Sequence, residues 1–533
     1  MKRLLLMAAI LLMSTALVVH HQPTAQVKYV PKVELCADGS GVLCTKLPAY
    51  IVKDPPLEVE GTGYSGLFGD VPTQSDKDVQ TPFDNMAWQM FVALNWGANA
   101  VNQPPAQGLT GQNTRVFQKY RKVSDLFGNS PVIASCRRVA LPFYYIGSNG
   151  AGKPMPKNEE YFQASTNLPL IDINGNWTIF ERRVNDIEAQ YLLAPNGKPS
   201  DTLTTMQGQA NFIQNNPDGA QFTASATTPI GPNGAIEIKT AWRIINQAAG
   251  DDPSRYYTQY AYIAVPADLV NGGRQICSRV LLGLVGMHII QRNPVVSCNP
   301  QLLPQWIWAT FEHVDNAPKA QAQCNVRDGC GTNPATNWIN KPSCGPAAPD
   351  SSVRYSYYKQ NSGIQATNIR PSPNGFGPKK FPWNPAQPYA TGNTNPATAM
   401  PQVTRCFEIY PTTDQLNTQW QSALAAVKSP FQYYMLVGTQ WGGKVEPREG
   451  NPLPADAVPA MLSNLTLETY IQNFTESIPG QGGPGSCVGC HNFAKLAASP
   501  NPSADFSFLP ALAKPSTARN LFETPKPNAQ SKE

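Results

Sequence analysis

Apolar residues recur at helical spacing from Phe83 to Leu94, through Ala87, Met90 and Phe91. Asp84 and Asn85 stand near the start, where helix caps are favoured. Further on the period changes to two. Ile236, Ile238, Thr240 and Trp242 alternate with Glu237, Lys239 and Arg243, the pattern of a half-buried strand. Tyr256 to Val265, Ile276 to Ile290, Trp306 to His313, Cys406 to Tyr410 and Tyr433 to Gly438 also read as strands. Leu170 to Ile173 and Trp177 to Phe180 flank Asn174-Gly175, the pair that favours a type I′ hairpin turn. Residues 314–400 carry Pro, Asn, Gly, Ser and Gln with little apolar period, and read as long surface loops. Near the end, Leu467, Tyr470, Ile471 and Phe474 share a helical face, with Asn464 placed as its cap and Glu468 at its positive end. No internal repeat interrupts this plan. The pattern predicts an α+β protein: a large β-rich, sandwich-like body over 26–455 with peripheral helices and long loops, and a small helical segment over 456–525. Residues 526–533 are a tail.

Composition narrows the class. Of 533 residues 51 are proline and 40 glycine, and only 14% are charged, against about 25% in an average globular protein. The 41% apolar content is enough for a large core, which excludes charge-driven disorder over most of the chain. The net charge of +5 includes Lys2 and Arg3, and no basic cluster suited to a phosphate backbone is present, so nucleic-acid binding is not expected. Residues 1–25 read as a signal peptide: Lys2-Arg3, then an apolar run from Leu4 to Val19 that is too short to span a bilayer comfortably. An uncleaved anchor is the alternative. Either way a periplasmic or secreted body is expected, with no transmembrane segment beyond the leader. Eleven cysteines then meet an oxidising compartment. Cys36 and Cys44 are close enough to pair locally. Cys324, Cys330 and Cys344 could pin the loop region, and Cys136 is the best candidate for an unpaired thiol.

Two of the cysteines have another use. Ser486-Cys487-Val488-Gly489-Cys490-His491 contains Cys-x-x-Cys-His, which reads as a c-type haem attachment site. A helix is expected from Cys487 to Ala498, and on it positions i, i+3 and i+4 project from one face. Cys487 and Cys490 can then form thioethers to the two porphyrin vinyl groups, while His491 lies beneath the iron as an axial ligand. A redox disulfide and a structural zinc site compete with this reading. The first wants a βαβ context, and the glycine-rich run Gly480 to Gly485 precedes this motif. The second wants another ligand pair, and only Cys406 lies within a hundred residues upstream.

No Met or His follows His491, so a sixth ligand must come from upstream or the site is open. The distal candidates are His288, His313, Met435 and Met461. On strand alternation His288 shares a face with Leu282, Leu284 and Ile290, and His313 one with Ile307, Ala309 and Phe311. Each is also readable as a satisfied core residue. Glu312 and His313 should point to opposite faces.

The motif residues Cys487, Cys490 and His491 are similar to those of c-type cytochromes. More broadly, the chain resembles uncharacterised exported bacterial monohaem cytochrome-c-like proteins. The matching stretches are Phe83 to Trp88 and Asn95-Trp96, Val285 to His288, Gln305 to Asn316, Phe431 to Trp441 and Leu467 to Tyr470. The resemblance implies one covalent haem c and export, and no particular substrate. The function expected is electron transfer with a redox partner or a small oxidisable molecule. The alternatives are a haem-dependent oxidoreductase with an open or weakly ligated distal site, and a haem-containing binding or sensing module.

Overall fold

A computed structural model describes residues 32–36, 39–49, 80–128, 141–145, 170–226, 231–265, 276–294, 305–325, 347–362, 368, 402–442, 457–458, 462–472 and 487–514. The leader, Cys136, Cys330, Cys344 and Met461 lie outside the described residues.

The architecture is α+β. Its centre is one large sheet in the order β1 (Arg121–Lys122), β3 (Ile179–Val184), β4 (Ile236–Ile244), β6 (Ile276–Asn293), β7 (Gln305–His313), β11 (Tyr434–Gly442) and β12 (Ala457–Val458). These neighbours all pair antiparallel. β6 is long enough to take a second partner on its first half, β5 (Thr258–Val265), which in turn pairs parallel with β2 (Phe143–Tyr145). A smaller sheet joins β8 (Lys319–Asn325), β9 (Ala347–Ala348) and β10 (Arg405–Glu408). The region from 314 to 400 is therefore not loop throughout, since β8 and β9 fall inside it. No helix among the described residues is long and apolar enough to cross a membrane.

The expected helix near Phe83 is α1 (Gln80–Leu94), and it covers one face of the large sheet together with the helix Pro411–Ala426. The second helix was not anticipated from the apolar pattern, although Leu416, Trp420 and Leu424 recur every four residues and are all buried. The two helices lock through aromatic rings: Trp88 stacks on Trp420 at 5.7 Å and meets Phe311 edge-on at 5.0 Å, and Phe91 stacks on Phe311 at 4.2 Å. Asn417 ties this layer to the sheet by accepting from Trp88 Nε1 and from the Leu436 amide.

Three local expectations change. The Asn174-Gly175 turn is built on Asp172, whose carboxylate accepts from the amides of Asn174 and Asn176. Only Gly175 takes a positive φ, 81°, so the turn is not type I′, and the strand after it begins at Ile179. The haem-motif helix was expected to run to Ala498 but spans only Cys487–His491. Beyond it the backbone groups bond across a loop instead: Leu496 donates to Pro502 and Ala504 to Ala494. The helix expected over 467–474 is, in its described part, a single turn at Thr469–Ile471, led by Asn464, whose carbonyl accepts from the Glu468 amide.

A β-bulge is a further change. Ala241 faces Gly286 while Trp242 faces Leu284, so Val285 is the extra residue in β6. A bulge reverses the alternation downstream of it. Leu282 and Leu284 therefore join the helix-covered core, whereas His288 and Ile290 face the other way, with Ile290 packed against the C-terminal segment. The face expected for His288 is corrected accordingly: it is shared with Ile290 but not with Leu282 or Leu284. β11 carries a matching irregularity at Val437.

Cys36 and Cys44 form the expected local disulfide, and Cys277 and Cys406 are also disulfide-bonded.

Candidate functional site

The Cys487–His491 helix sits on the sheet face opposite α1. Val488, Ala494, Leu496, Ala498, Ala504, Leu509 and Leu512 share one core with Ile290, Trp306, Trp308 and Phe222. The segment thus has no core separate from the body. Gln440 of β11, level with Trp308, accepts from the Val488 amide at 2.9 Å and satisfies a first-turn N–H that the helix leaves open.

Both thiols are free, and the sulfur of Cys487 donates to the Leu462 carbonyl at 3.6 Å. Burial raises both thiol pKa values, Cys490 to about 11, and the nearby Glu468 carboxylate adds to the rise. Redox-active cysteines of Cys-x-x-Cys type have lowered pKa values, so these thiols have the opposite environment. Among the described residues, no group of three or more His, Cys, Asp or Glu side chains is arranged to hold a metal ion by itself.

His491 is oriented through one nitrogen. Its Nδ1 lies 2.7 Å from the Phe506 carbonyl. A carbonyl can only accept, so Nδ1 carries the proton and Nε2 keeps its lone pair. Burial lowers the imidazole pKa to about 4, which keeps the ring neutral at physiological pH. The rings of Phe508 and Trp308 flank it at 5.0 and 5.5 Å. The carbonyl is aimed by two left-handed residues, Asp505 at φ 49° and Phe506 at φ 65°, a conformation that needs outside support in a non-glycine residue. The support comes from side chains on either side. Asp505 accepts from the Phe222 amide at 2.7 Å and pairs with Arg292 at 3.2 Å, and Ser507 donates to Glu237 at 3.1 Å.

His288 belongs to this face. It lies between Lys239 and Thr310 in the sheet register. Nε2 meets both oxygens of Glu468, at 2.9 and 3.0 Å, while the buried Nδ1 has no hydrogen-bond partner. Lys239 reaches the same carboxylate at 4.0 Å. Burial would raise the Glu468 pKa, but His288 and Lys239 outweigh it and hold the carboxylate below its ordinary range.

The other distal candidates are placed elsewhere. His313 points into the helix-covered core, stacked on Tyr256 at 4.1 Å, with Nε2 on the Arg255 carbonyl and Nδ1 accepting from the Asp315 amide. Both its nitrogens are used. Glu312 faces the opposite side, as expected, where it pairs with Arg405 and accepts from the Leu465 amide. Met435 stands opposite Glu312, four residues along β7 from Trp308, about 13 Å at the usual strand rise. Glu468, Gln440, Trp308 and Phe506 were not legible as site residues, because each reaches the motif through tertiary contact.

Comparison with known proteins gives no match: no family model, no curated protein and no solved structure is similar to this chain.

Proposed function

We propose that this is an exported c-type haem protein that carries one covalent haem and serves in electron transfer. The observation that carries the reading is the His491 Nδ1–H bond to the Phe506 carbonyl. It leaves the Nε2 lone pair free one residue from a free thiol, in the arrangement by which proteins orient an axial imidazole. Cys487 and Cys490 would hold the group through thioethers, and His491 would be its axial ligand. When bound, haem supplies a one-electron iron couple. The chain's own contribution is positional. Gln440 fixes the start of the motif helix, the Asp505–Phe506 turn fixes the imidazole, and Trp308 and Phe508 keep it dry.

The test is expression in a host that attaches haem c, followed by haem staining of a denaturing gel. The wild type should stain and Cys487→Ala/Cys490→Ala should not. An unstained wild type would refute the assignment.

A second reading, a haem-dependent oxidoreductase, draws on one observation. His313 has no nitrogen to offer, and His288 is anchored by Glu468 with only Nδ1 unpartnered. If none of His288, Met435 and Met461 reaches the iron, the sixth position would be open to a small molecule. Carbon monoxide binding by the reduced protein decides between the two: a low-spin spectrum indifferent to it supports simple electron carriage.

A further inference from the structure

Aromatic rings lead away from the proposed axial ligand in near contact. Trp308 lies 5.5 Å from His491, Trp306 6.4 Å from Trp308, Phe222 5.7 Å from Trp306, and Tyr191 4.8 Å from Phe222, centroid to centroid. Trp306, Trp308 and Phe222 are buried, while Tyr191 is only partly so. The series runs from the sheet to α2 (Asp186–Leu193), where Ile187 is exposed one turn before Tyr191.

The groups beside the rings suit passage of an electron. Nε1 of Trp308 is buried without a hydrogen-bond partner, so a transiently oxidised indole has no acceptor for its proton and returns unchanged. Trp306 lies beside the Asp505 carboxylate. Arg292 stands 6.0 Å over the same ring but is paired with Asp505, so the two largely cancel. The Tyr191 hydroxyl accepts from the Gln221 amide at 2.9 Å.

We propose that Trp308, Trp306, Phe222 and Tyr191 form an electron path from the haem to the surface of α2, where a one-electron acceptor meets the protein. The proposal rests on the haem reading above. In the step, the iron goes from ferrous to ferric and the acceptor gains that one electron. No bond is made or broken, and each ring ends neutral.

The test uses the full-length haem-loaded protein with Cys136→Ser and Ile187→Cys, labelled at position 187 with a ruthenium tris-diimine complex. After a flash with an external quencher, the ruthenium(III) draws an electron from ferrous haem, followed by the haem absorbance. Trp306→Phe and Trp308→Phe should each slow this at least tenfold, and Trp306→Tyr should keep most of the rate because it keeps an oxidisable ring. Rates within twofold of the parent in both Phe variants overturn the proposal, as does a Tyr variant as slow as Phe, which would mark lost packing. A second readout needs no haem. In labelled Cys487→Ser/Cys490→Ser protein, the flash should leave a tryptophan radical that vanishes with Trp306→Phe, and its absence from the parent overturns the path. A wild type without covalent haem defeats the haem reading, while this second measurement still judges the rings.

Discussion

The three described histidines differ in what their nitrogens do. His491 gives one nitrogen to a carbonyl and keeps one free, His288 gives one to a carboxylate, and His313 gives both to the backbone. The motif singled out His491, while residue type and strand position suggested His288 and His313, which only tertiary contacts separate. His313 also carries a pH consequence. Burial lowers its pKa from 6.5 to about 4, so between those values the unfolded chain binds a proton that the folded chain does not. Its contribution to stability is therefore complete above pH 6.5 and falls as the pH drops to about 4, by about 3 kcal/mol in all. His313→Phe removes this titration but leaves the Asp315 amide and the Arg255 carbonyl unpaired. At pH 7 the variant should be about 1–3 kcal/mol less stable. Urea titrations should show its stability declining less steeply than the wild type's between pH 6.5 and 4.

At the scale of elements, apolar alternation located β4, β5, β6, β7, β10 and β11, and helical spacing located α1. The bulge at Val285 escaped, because an extra residue leaves no mark in an apolar run such as Leu281 to Ile290. The short motif helix escaped because its continuation finds backbone partners at 502–504, which local propensity does not register. Just past the bulge, Gly286 lies where a Cβ would come 2.1 Å from Thr466 Oγ1, against the segment that carries Glu468. Gly286→Ala should displace that segment, loosen the Glu468–His288 pair and lower thermal stability, measurable as a reduced melting temperature. On the opposite face, Trp88→Ala removes a fully buried ring from the stack with Trp420 and should cost about 3–5 kcal/mol in chemical denaturation.

At the scale of the whole molecule, one layer of helices covers one face of the large sheet and the motif segment covers part of the other. The small size of the segment over 456–525 already implied that it leans on the body, but not through which residues, since the contacts join positions far apart in the chain. Val488 reaches Gln440, Ala497 and Ala498 reach Gln209, and Asp505 reaches Phe222 and Arg292. Residues 456–525 produced alone lack Trp306, Trp308, Phe222 and Ile290 from their core, and should show neither cooperative unfolding nor protection from protease. A compact, protease-resistant fragment would contradict this.

The shared core also sets an order of events. The motif is made after the strands it rests on, and its docking against β6 and β7 brings together residues nearly two hundred positions apart, such as Ile290 and Val488. Contacts of such separation close slowly. Until they close, the thiols of Cys487 and Cys490 lack the burial that raises their pKa values and stay accessible. If the haem proposal holds, docking would end the interval for attachment, and a change that speeds it would leave more of the chain without haem.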